Sequence, residues 1–166
     1  SLKAFVPAFK EDVFFNYKEV ISKLPLVKAM LNSLSYIIVI IALGLIVNSM
    51  AGYAFARLKF PKKNLLFALI LAVMIIPAQT VMLPQFSIIY KMGLSNSYLA
   101  LILPAIASPM YIFLFRQNFM GIPESIEEAA KLDGASAIRT FFQLVVPLAK
   151  PVYATVGILV FIACWN

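Results

Sequence analysis

Apolar residues run through this chain in long stretches punctuated by short polar segments. No charged residue falls between Lys28 and Arg57, between Lys63 and Lys91, or between Lys91 and Arg116. Each gap exceeds the ~20 apolar residues that carry a helix across a hydrocarbon core of about 30 Å. The pattern predicts spans over residues 30–56, 65–83 and 98–115. A fourth run, 151–166, is slightly short of a crossing. The expected fold class is an all-α membrane protein: a polytopic helical bundle forming a single transmembrane domain over residues 1–166, with a cytoplasmic helix-turn-helix loop at 117–150 and truncation at both ends.

Within the spans, Asn48, Ser49, Gly52 and Ala54 give the second half of the first one a small-residue face suited to close helix packing. Pro77 interrupts the second and Pro84 follows it, so a kink or break is expected there, with residues 85–97 as a loop. Pro104 and Pro109 do the same in the third. Broken helices are common where a pathway must open. Residues 1–28 mix Lys, Glu and Asp with Phe5, Phe9, Phe14, Phe15 and Tyr17, and read as an extramembrane lead-in. That segment lacks the features of a signal peptide, and Ser1 is not an initiator methionine.

Composition agrees with a bilayer setting: 63% of residues are hydrophobic and 13% charged, and the mean hydropathy is +0.94. The net charge of +7 sits in short connections and forms no stripe of the kind that binds nucleic acid. Arg57, Lys59, Lys62 and Lys63 against Lys91 alone place the first connection in the cytoplasm and residues 85–97 outside. Residues 116–150 are then cytoplasmic and the lead-in external, although Lys3, Lys10, Lys18, Lys23 and Lys28 argue the other way. Histidine is absent, and the acids are Glu11, Asp12, Glu19, Glu124, Glu127, Glu128 and Asp133. No catalytic acid/base pair, metal site or cofactor site is expected in this chain. Cys164 reads as a small buried residue, and no repeat of 20–50 residues is visible.

Chemistry concentrates in Gly121-Ile-Pro-Glu-Ser-Ile-Glu-Glu-Ala-Ala-Lys-Leu-Asp-Gly-Ala-Ser. Pro123 suits a helix start, Glu124, Glu127 and Glu128 complement the helix dipole, and Gly134 supplies a left-handed stop. Ile126, Ala129 and Ala130 make a shallow apolar face edged by Glu127, Glu128 and Lys131, able to enter a groove on another protein or to pack on its own subunit. Ser136 can cap a second helix with an apolar face of Ile138, Phe141, Phe142 and Val145, before Pro147 and Pro151 turn the chain back into the membrane. The pair could convert a push on the first helix into movement of the bundle.

These residues resemble the permease subunits of bacterial binding-protein-dependent ABC importers. The coupling signature is Glu128-Ala-Ala-Lys-Leu-Asp-Gly134-Ala followed by Pro147 and Pro151. Arg116-Gln-Asn-Phe, Ile122-Pro-Glu-Ser-Ile-Glu-Glu-Ala-Ala, Asn32-Ser33-Leu34, Tyr53-Ala-Phe-Ala-Arg57, Ile76-Pro-Ala-Gln79, Gly93-Leu-Ser-Asn-Ser-Tyr98 and Trp165-Asn166 are similar to the carbohydrate-uptake branch and its glycerol-phosphate relatives. The resemblance implies that Glu127, Glu128, Ala129, Ala130, Asp133 and Gly134 dock on a cytoplasmic ATPase subunit, with Ala129 and Ala130 buried in its cleft. It also implies a second permease subunit, an extracytoplasmic solute-binding protein, ATP and Mg bound by the partner ATPase, and six spans in a bacterial cell membrane. No Gly-x-x-x-x-Gly-Lys loop occurs here.

Asn48, Gln79 and Thr80 are polar at membrane depth and are the candidates for a solute path, although such residues also bond neighbouring helices. Tyr153 and Trp165 suit sugar contacts or interfacial anchoring. A secondary transporter, an ABC permease for a non-sugar solute and a membrane scaffold are the competing readings. The first three spans hold no ionisable group to serve proton coupling.

Overall fold

The computed structural model describes Ile21 and residues 25–165, so most of the lead-in and Asn166 lie outside the described residues. The described residues fall into two units, divided in sequence between Ser35 and Tyr36. In the first, Pro25 and the opening of helix α1 (Leu26–Arg57) present Val27, Met30 and Leu31 outward, and Ser35 Oγ donates back to the Leu31 carbonyl at 2.7 Å.

In the second unit, the rest of α1 is followed by α2 (Lys63–Val73), α3 (Ala78–Lys91), α4 (Tyr98–Ala105) and α5 (Pro109–Met120). Then come α6 (Glu124–Leu132), α7 (Ala137–Leu148) and α8 (Lys150–Cys164). The fold is all-α. Among the described residues, α1 alone is by length and composition able to cross a membrane; α2 with α3, α4 with α5, and α7 with α8 pass only as pairs, bent by 101°, 43° and 80°.

Of the four prolines in the second and third spans, two stand at breaks and two lie inside helices. Pro77 stands immediately before α3 and the chain breaks at residues 74–77, but Pro84 stays inside α3, which continues to Lys91. Residues 85–91 are therefore helix rather than loop. The helix ends at Gly93, whose φ of 70° lets the Gly93 and Leu94 N–H groups reach the Tyr90 and Ile89 carbonyls. In the third span Pro104 stays inside α4, and the break falls at 106–108, just before Pro109. A proline in the first turn of a helix withholds an N–H that has no helical partner anyway.

Close packing is centred on α5. Gly52 of α1 sits directly against it, and α2 and α8 pack on it as well. Asn48, Ser49 and Gly52 are buried and Ala54 half-buried, as expected of the small-residue face. Phe115 and Phe119 are fully enclosed and join Tyr53, Phe141 and Tyr153 in an aromatic cluster, with centroids from 4.8 Å (Phe115–Tyr153) to 6.2 Å (Phe119–Phe141). Lys63 Nζ donates to the Ala56 and Leu58 carbonyls at 3.1 and 3.0 Å, closing the C-terminal end of α1.

The apolar face expected on α7 is divided. Phe141 and Val145 are buried, whereas Ile138 and Phe142 are exposed. Residues Phe141–Val145 adopt a π-helical turn ahead of Pro147, and its wider register shifts side chains off a 3.6-residue face.

Candidate functional site at helix α6

Helix α6 ends where its sequence implies and starts one residue later, with Pro123 at its N-cap rather than in its first turn. Pro123 precedes it, Glu124 and Glu127 lie in its first turn and Lys131 in its last, each charge matching the dipole end it faces. At the other end Gly134 has φ 77°. Its N–H reaches the Lys131 carbonyl at 3.0 Å, and the Ala135 N–H reaches the Ala130 carbonyl at 2.9 Å. This paired closure requires a left-handed residue. Nothing lies within 4 Å of a Cβ placed at Gly134. Gly134→Ala is therefore expected to cost about 1–2 kcal/mol through backbone strain alone, measured as a lower thermal midpoint of the full-length subunit, while Gly134→Asn costs less.

The six residues expected at a docking surface divide by face. Glu128, Ala129, Asp133 and Gly134 are exposed; Glu127 and Ala130 are buried against their own chain. Glu127 is held in an ion pair with Arg57, Nε to Oε1 at 2.9 Å, the two side chains being 7% and 8% exposed; the approach is off the line of a hydrogen bond. The other carboxylate oxygen accepts from Tyr53 Oη at 3.0 Å. Arg57 also donates to Glu124 Oε1 at 3.0 Å, to the Phe119 carbonyl at 2.8 Å, and to the Ile122 carbonyl. One guanidinium thus joins the end of α1, the end of α5 and the first turn of α6. In sequence Glu127 reads as a charged edge of a docking face and Arg57 as part of the basic connection and of the Tyr53-Ala-Phe-Ala-Arg57 segment, with nothing to pair the two. The available signal was Tyr53 and Arg57 at i, i+4 spacing, which puts both on one face of α1.

Beside this anchor, α6 and α7 bound an open groove of about 590 Å³ lined by Ser125, Ile126, Ala129, Asp133, Arg139 and Thr140, among others. Ser136 caps α7 as expected, accepting from the Arg139 N–H at 3.3 Å.

The solute-path candidates part company. Asn48, expected on the path, is fully buried. Its amide nitrogen donates to the Gly44 and Ile106 carbonyls at 2.6 and 2.9 Å, and its oxygen accepts the Ser108 N–H at 2.8 Å. It braces the α4–α5 break and keeps no free donor for a solute. Gln79 and Thr80 are exposed in the first turn of α3, directly after the 101° bend. Tyr153 packs in the aromatic core, and Trp165 stacks on Phe161.

Residues 40–166 match the family described as binding-protein-dependent transport system inner membrane component. The chain belongs to this family. The arabinooligosaccharides transport system permease protein AraQ of Halalkalibacterium halodurans is 41% identical over 135 residues, 81% of this chain and 48% of that protein. The trehalose transport system permease protein SugB of Mycobacterium tuberculosis is 37% identical, over 92% of this chain and 57% of its own length. A solved bacterial ABC transporter involved in the import of the acidic polysaccharide alginate superposes with a TM-score of 0.84 at 27% identity, over 93% of this chain and 54% of that one. The chain spans about half the length of these relatives. Membership in the family places α6 and its glycine turn in an inner-membrane transport component with an all-α fold.

Proposed function

We propose that this chain is part of the permease subunit of an ATP-driven importer in a bacterial cell membrane, and that it helps carry a sugar or sugar-like solute. The observation that carries the reading is the division of α6: an outward face of Glu128, Ala129, Asp133 and Gly134 on a helix fixed to its own spans through Glu127. A shallow alanine surface with a charged edge can enter a cleft on a cytoplasmic ATPase, where Glu128 fixes register. ATP and Mg belong to that partner, hydrolysis is its task, and the chain supplies no catalytic, metal or cofactor residue. A second permease subunit and an extracytoplasmic solute-binding protein complete the assembly. Gln79 and Thr80, beside the sharpest bend, are the proposed contacts for solute; a break that exposes polar groups is the arrangement from which alternating access works. The saccharide named for two relatives and for the solved transporter supports a carbohydrate solute.

The test is ATP-dependent solute uptake by the full-length subunit with its partners. Glu128→Lys is expected to leave the subunit's thermal midpoint within about 0.5 kcal/mol of wild type, because the residue is exposed, yet to abolish co-purification of the ATPase. Uptake that persists without any ATPase would sink the reading in favour of a secondary transporter.

A further inference from the structure

Arg57 makes contacts out of proportion to a topology-setting lysine or arginine at a span end. Its side chain is 8% exposed and reaches two carboxylates and two backbone carbonyls on three separate segments. The Phe119 carbonyl belongs to the last turn of α5, where helical partners run out and a cation complements the dipole. One oxygen of Glu127 accepts from Tyr53 Oη and the other lies in an ion pair 2.9 Å from Arg57 Nε. The Tyr53 ring in turn packs at 6.2 Å from that of Phe119 and at 5.0 Å from that of Phe141. By contrast, the opposite flank of α6 faces the open groove toward α7. A force delivered to α6 could be dissipated by closing that groove unless another attachment is stiffer. A planar guanidinium stays charged and presents its donors in a rigid, preorganised fork, which suits it to such an attachment.

We infer that Tyr53, Arg57 and Glu127 form a clamp that transmits movement of α6 to α1 and α5, which makes Arg57 a positioning residue for coupling rather than for docking. This rests on the importer reading above. Docking belongs to the outward face of α6 and transmission to the inward face, so the two functions separate by substitution. Arg57→Gln frees the helix without touching the outward face. Tyr53→Phe removes one hydrogen bond and keeps the aromatic packing.

The experiment uses the full-length subunit assembled with its partner permease, ATPase and solute-binding protein in proteoliposomes. It reads two quantities: ATPase retained on co-purification, and solute moved per ATP hydrolysed. Arg57→Gln is expected to retain the ATPase and to lower solute per ATP about tenfold, within the usual range of coupling between sites. Tyr53→Phe should lower it less, and the double exchange Arg57→Glu with Glu127→Arg should recover part of the loss. Unchanged solute per ATP in both single variants overturns the inference, as does loss of the ATPase to the degree seen with Glu128→Lys. Should Arg57→Gln fail to accumulate, Tyr53→Phe decides by the same two readouts. A wild-type assembly without ATP-driven uptake overturns the importer reading itself, before any variant is compared.

Discussion

Gly52→Ala is expected to destabilise the subunit by about 3 kcal/mol or more, the upper end of what overpacking costs. A Cβ at this position would lie 2.6 Å from Phe115 Cβ, 3.0 Å from the Arg116 nitrogen and 3.2 Å from the Ile112 oxygen. Two of those atoms are backbone and the third is fixed to it, so no rotamer change relieves the contact. α1 must lift away from α5, opening the interface that encloses Phe115 and Phe119 and carrying Tyr53 and Arg57 away from Glu127. The effect should appear as a much lower thermal midpoint in detergent and a smaller folded fraction recovered from membranes. Gly157→Ala is the matched control: its new methyl would meet only Ile41 Cγ2, at 3.9 Å, an ordinary contact. Equal midpoints for the two variants would refute the packing account.

That Gly52 belongs to a packing face was legible, because small residues recur along one side of α1 without a charge among them. That the partner is α5 was not, since periodicity marks a face and not what covers it. The four prolines show a similar limit. Pro77, Pro84, Pro104 and Pro109 look alike in sequence, yet the chain breaks beside Pro77 and Pro109 and runs through the other two. Inside α3, Pro84 withholds one helical donor from the carbonyl of Thr80, an exposed residue, and that cost is bearable. At 106–108 the break is stabilised by a side chain sixty residues away in sequence, beyond any local pattern.

The loop's helix, turn and cap were the most legible elements, because Pro123, Gly134 and Ser136 act on their immediate neighbours. What local rules could not supply was the inward turn of Glu127. An acid on a short amphipathic helix reads as an edge until a buried cation is known to face it. The residues that decide the site's mechanics are therefore those whose partners are remote in sequence.

Asn48 is the other such residue, and Asn48→Leu is expected to cost about 2–5 kcal/mol. The substitution keeps the branching of the native side chain, adds bulk in a fully buried site, and leaves the Ser108 N–H and the Ile106 carbonyl without partners; each buried group so orphaned costs about 1–3 kcal/mol. At membrane depth water offers little relief. Amide exchange separates this role from the solute-lining one. If Asn48 braces the break, the Ser108 amide exchanges slowly in the full-length wild-type subunit and rapidly in Asn48→Leu, with a lower thermal midpoint. A residue lining a path would instead leave exchange and stability near wild type and alter only solute affinity. The geometry favours the first outcome because all three hydrogen bonds run to backbone atoms, and two of them hold both sides of the 43° bend between α4 and α5. A fixed bend there sets the direction in which α5 descends to Phe119 and Arg57's other contacts. The orientation of α6 thus depends on an amide buried in the second half of α1.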